Sequence, residues 1–142
     1  MTTSRPGPAT RVLHLAERAA WSADAVGEVY AGSTRGRSVA EVGFVHMSTA
    51  AQLPAVMAAL YADVPAADLV LLVVDLPALA ARGVPVRWEN LEGGDVVFPH
   101  AYGALPREAV VAVLDLVPAE DGVGAGLPDL AGLGVLTGPP GA

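Results

Sequence analysis

The chain has 142 residues, 53% of them hydrophobic, with no cysteine and a formal net charge of −7. That length suffices for one domain burying roughly two thirds of the surface its unfolded chain exposes, and the missing cysteines exclude disulfides, thiolate metal sites and a cysteine nucleophile. The eight cations are all arginine, which excludes a lysine Schiff base, and the acidic balance argues against a surface built to neutralise nucleic-acid phosphates.

Residues 1–10 are polar, contain two prolines and lack the apolar core of a secretory signal. No later run is long enough to cross a bilayer, so a soluble cytoplasmic protein is expected. "RVLHLA" (11–16) is a short strand, and "ERAAWSADAVG" after it is a helix with its apolar face around Trp21 and a stop at Gly27. "STRGRSVAEVG" opens with turn residues and ends in helical turns over Val39 and Val42. Gly43 to Met47 is a strand. Thr49 and Gln52 have capping-box spacing ahead of "LPAVMAALYADV", a helix expected to bury Leu53, Val56, Met57 and Leu60. Pro54 lies too deep for the first position of a helix that starts at the box, so the regular helix starts later or its first turn is tightened.

"DLVLLVVDL" (68–76) is short, β-branched and apolar throughout, as in a central strand covered on both faces. "PVRWEN" and "DVVFPH" flank "LEGG" and form two strands joined by a turn. "REAVVAVLDLV" alternates like a last strand. Beyond Pro118 the sequence is rich in Gly and Pro without periodicity, so 1–10 and 118–142 are tails around one domain at 11–117. About six strands with two or three unevenly interleaved helices make an α+β fold.

The three histidines, His14, His46 and His100, fall at strand positions far apart in sequence, each among apolar neighbours. An imidazole there costs free energy unless hydrogen-bonded. Each alone reads as a core histidine tied to a carbonyl. Together they suggest convergence on one cleft. A three-histidine zinc site is disfavoured because no two share the short spacing that fixes part of such a site. The other use is to surround a nucleotide or sugar phosphate, helped by the hydroxyls of Ser48 and Thr49 and by N–H groups opening the following helix. Trp88, Phe98 and Tyr102 could add a stacking wall and Glu89 a polar group, with core packing the competing account of Trp88 and Phe98.

The phrases "VLHLAERAAW", "EVGFVHMSTAAQLPAV", "DLVLLVVD", "VRWE" and "FPHAYGALPREAVVAVLDL" resemble, in order and spacing, the bacterial family called domain of unknown function 952, over about residues 11–117. The resemblance implies an ADP-ribosyltransferase-like fold, a split β-core that binds NAD in a cleft. It implies that His14 holds the ribose, that His46 lies against the nicotinamide, and that Ser48 and Thr49 match the family's "ST". Such transferases place a glutamate on a late strand to stabilise positive charge developing on the ribose. Here His100 takes that place by chain order. Glu89 or Glu92 then supplies the carboxylate; or the chemistry follows the branch that removes a 2′-phosphate from RNA, which the acidic surface weighs against; or the fold binds a nucleotide-like ligand without turnover.

The expectation is therefore an NAD-dependent transferase or glycohydrolase with His46, His100 and Glu89 at the reacting centre. His14, Ser48, Thr49, Trp88 and Tyr102 bind the small-molecule ligand, and no metal, nucleic acid or membrane is involved. The alternative is a non-catalytic ligand-binding module.

Overall fold

The computed structural model describes residues 9–23, 29–34, 37–91, 93–118 and 125–139. Two antiparallel three-stranded sheets organise it. In the first, β3 (Leu69–Asp75) lies between β1 (Arg11–Glu17) and β6 (Val110–Asp115); in the second, β5 (Phe98–Ala101) lies between β2 (Val45–His46) and β4 (Val86–Glu89). The described helices are α1 (Arg18–Ala23), α2 (Val39–Val42), α3 (Leu53–Leu60) and α4 (Leu76–Ala81). The fold is α+β, with many antiparallel strands and short helices.

β3 is central because its sequence can be nothing else. Val70, Leu72 and Val74 enter one buried cluster with Val45, Met47 and Leu105, while Leu69, Leu71 and Val73 enter a second with Leu53 and Met57. Successive side chains of a strand point to opposite faces, and every residue from Leu69 to Val74 is buried. Asp75 ends the strand, caps α4 by accepting from the Ala78 N–H at 3.0 Å, and meets Arg11 Nε at 3.2 Å. Sequence reading missed α4, although an aspartate followed by Pro77 in the first turn is a helix-start signal. The stop expected at Gly27 lies outside the described residues.

The two sheets meet at a two-residue crossing. The Met47 N–H donates to the Pro99 carbonyl of the second sheet (3.0 Å), whereas Ser48 exchanges main-chain bonds of 2.8 Å with Leu13 of β1. The chain thus passes from one sheet to the other between adjacent residues. α3 starts after this crossing, at Leu53, so Pro54 falls in its first turn, where the missing N–H costs nothing. Gln52 Oε1 accepts from the Thr49 N–H at 3.0 Å, which is one half of the expected capping box. Leu53 and Met57 are buried as expected; Val56 and Leu60 instead face a cleft.

The leucine-bearing segment after Pro118 docks on the body. Val135 forms a parallel bridge with Arg11, the Arg11 carbonyl accepts from the Leu136 N–H at 2.8 Å, and Leu127, Leu130 and Leu133 pack on the second cluster. Among the described residues, no helix is long and apolar enough to cross a membrane.

Candidate functional site

Alternation along the second sheet gathers a set of functional side chains on one face. In register, His46 pairs with His100, Arg87 with His100, and Glu89 with Phe98. Phe44 and Tyr102 extend the same alternation beyond the strand ends. Val45, Met47 and Ala101 point the other way, into the first core cluster. A cleft of about 350 Å³ opens over the functional face. Phe44, His46, Glu89, Phe98 and His100 line one side, and Ala55, Val56, Ala59 and Leu60 of α3 line the other.

Glu89 organises the polar part. Its Oε1 accepts from His100 Nδ1 at 3.0 Å and from the Tyr102 hydroxyl. The Tyr102 bond first, and the His100 bond second, hold the Glu89 carboxyl below its ordinary pKa, while the same bond raises that of Tyr102. Glu89 is therefore a carboxylate at neutral pH, and since a carboxylate only accepts, His100 Nδ1 is the donor to it. His100 Nε2 is buried with no hydrogen-bond partner. Phe44 stacks on the His100 ring, with centroids 4.3 Å apart and planes at 27°. His46 lies 5.1 Å from the His100 ring and 5.3 Å from that of Phe98. Its pKa is lowered to about 4, first by burial and then by the neighbouring His100, so it is a neutral imidazole at neutral pH.

His14 is elsewhere. It is 2% exposed and bonds through Nδ1 to the His46 carbonyl at 2.7 Å, with the Tyr30 ring 5.8 Å away. Burial lowers its pKa to about 4, partly offset by that bond. It supports the strand that carries His46 and does not line the cleft.

Ser48 and Thr49 do not line it either. The crossing turns them inward, leaving 2% and 0% exposed. The N–H groups expected to hold an anion are already used: Thr49 donates to Gln52 Oε1, and Ala50 and Ala51 donate to the Leu136 and Thr137 carbonyls at 2.9 and 3.0 Å. Trp88 follows the same rule of alternation. Being adjacent to Glu89, it points to the opposite face, packs on the first cluster and borders a separate groove with Leu76 and Val86. Tyr102 contacts the site through Glu89. Glu92 lies outside the described residues.

Sequence reading missed Phe44 and the outer face of α3. Phe44 was detectable, since it stands two residues before His46 on the same strand face. Among the described residues no group of three or more His, Asp or Glu side chains is placed to hold a metal ion.

Fold and site thus define a class: a small α+β protein whose second sheet presents paired imidazoles and a tethered carboxylate to an aromatic-walled cleft. The chain belongs to the family described as "Protein of unknown function (DUF952)", whose model matches residues 15–113. It is similar to the crystal structure of protein CC0527 from Caulobacter crescentus, at 28% identity and a TM-score of 0.67, covering 88% of this chain and 98% of that one. The solution NMR structure of CC0527 gives 30% identity and a TM-score of 0.64, over 85% and 93% of the two chains. No curated protein matches the chain.

Proposed function

We propose that the protein is a cytoplasmic enzyme of the ADP-ribosyltransferase-like class that acts at the nicotinamide–ribose bond of NAD or a related nucleotide, with Glu89 at the reacting centre. The observation that carries this reading is an ionised carboxylate, held by two donors, inside a cleft with aromatic walls. A volume of about 350 Å³ is at the lower end of the roughly 300–1,000 Å³ usual for small-molecule sites. It fits one heteroaromatic ring and its sugar. The diphosphate finds no cation on the cleft wall among the described residues, so that part of the molecule lies outside.

When bound, NAD supplies a glycosidic bond whose electron pair leaves with the pyridinium nitrogen, while water or an acceptor hydroxyl adds to the sugar carbon and gives its proton to solvent. Glu89 stabilises the positive charge that develops on the sugar. The Tyr102 hydroxyl and His100 Nδ1 fix the carboxylate so that it need not reorganise, and Phe44 fixes His100. His46 and Phe98 wall the ring and exclude water.

Free nicotinamide measured after incubation with NAD tests the reading. Release is expected from the native protein, reduced about 10²-fold or more in Glu89→Gln, the scale for loss of one preorganised electrostatic group, and reduced in His46→Ala at unchanged melting temperature. Saturable NAD binding without release would favour a non-catalytic binding module, a reading supported by the two donors that already occupy Glu89 Oε1. Absence of both at millimolar NAD rejects the nucleotide.

A further inference from the structure

We propose that the cleft selects planar organic cations, of the kind formed by alkylating a heteroaromatic ring nitrogen, over neutral rings of the same shape. The inference rests on the cleft being a ligand site, as proposed above, but not on turnover.

Three observations carry it. Glu89 is the acidic side chain on the cleft wall, and no arginine lines the cleft among the described residues. The other walls include four rings, Phe44, Phe98 and the imidazoles of His46 and His100, together with Asn90 and Leu91. A phenyl face carries negative potential and attracts a cation within about 6 Å of its centroid, and a carboxylate in a partly desolvated cleft adds a directional attraction. Arg87 has its guanidinium carbon 4.9 Å from the centroid of the Tyr102 ring. Stacked there, Arg87 does not line the cleft, whereas Glu89 does, with its Oε1 held by Tyr102 and His100. The α3 wall of Ala55, Val56 and Ala59 supplies no hydrogen bond. Between two rings of one shape, the carboxylate and the aromatic faces therefore favour the charged one.

The test uses nicotinamide methylated on its ring nitrogen, a cation, against its neutral dihydro form, each titrated calorimetrically into the intact protein at neutral pH. The cation should bind at least about tenfold more tightly. Raising the salt concentration should weaken the cation alone. Glu89→Gln should abolish most of the preference, and Phe98→Leu, which keeps an apolar wall without a ring, should reduce it. Equal affinities, no binding of the cation, or a preference that survives Glu89→Gln in a protein with native melting would overturn the inference. If Glu89→Gln fails to fold, the salt dependence and Phe98→Leu decide. Cation preference without nicotinamide release from NAD rejects the proposed enzyme and keeps this inference; release without preference does the reverse.

Discussion

The two three-stranded sheets have the same strand count and pairing sense, yet they do different things with buried polar groups. In the first, β3 is covered on both faces, and His14, the polar residue inside β1, is tied to a main-chain carbonyl. In the second, one face packs on the core while the other turns Phe44, His46, Glu89 and His100 toward a cleft. The contrast shows that an imidazole on a strand takes its role from what covers that face. His14 is covered by the second sheet, whose His46 carbonyl it contacts, whereas the His46 ring faces the cleft between that sheet and α3.

The largest expected effect is on the first sheet. Leu72→Ala removes a fully buried side chain from β3 and should cost about 2–5 kcal/mol in urea unfolding, with His46→Ala costing far less. Equal costs would erase the distinction. Next is acid. The folded pKa of His14 is about 4 against 6.5 in the unfolded chain, so between those values the unfolded state binds a proton that the folded state refuses. Stability is full above pH 6.5 and falls as the pH drops toward 4, by on the order of 3 kcal/mol for His14. His46 acts in the same direction. Glu89, with its folded pKa depressed, contributes stability above the ordinary glutamate value that is lost as pH falls through the folded one. Urea midpoints measured across this range should slope with pH, and His14→Gln should flatten the slope between 4 and 6.5. The smallest effect is Tyr102→Phe: the Glu89 pKa should rise toward that of an ordinary glutamate, read by NMR of its carboxyl carbon, with little change in melting. A large loss of stability would instead make the Tyr102–Glu89 pair part of the scaffold.

Much of the first sheet was legible, because "DLVLLVVDL" is too apolar and too short for anything but a covered strand, and Pro54 signalled either a later start of α3 or a tightened opening turn. The candidate site was legible only in part. Assigning both Trp88 and Glu89 to one cleft breaks the two-residue alternation of a strand, and that rule alone favoured one over the other. Ser48 obeys the alternation from His46 but not the outcome, because the chain changes sheets at that residue. The fate of His14 depends on a carbonyl 32 residues away, which no local pattern encodes. Leu127, Leu130 and Leu133 recur at every third residue, a spacing that matches neither the strand period nor the i, i+3, i+4 pattern of a helix, and they lie along a flank built by other segments.

That flank has a practical side. Leu136 and Thr137 accept the Ala50 and Ala51 N–H groups, and the Arg11 guanidinium reaches the Leu133 carbonyl at 3.2 Å. Trimming the protein at Pro118 to obtain a neater crystallisation target would therefore strip the lateral seal from the leading strand and uncap the amides just ahead of α3. A shortened version that precipitates should be blamed on the scissors before the cleft.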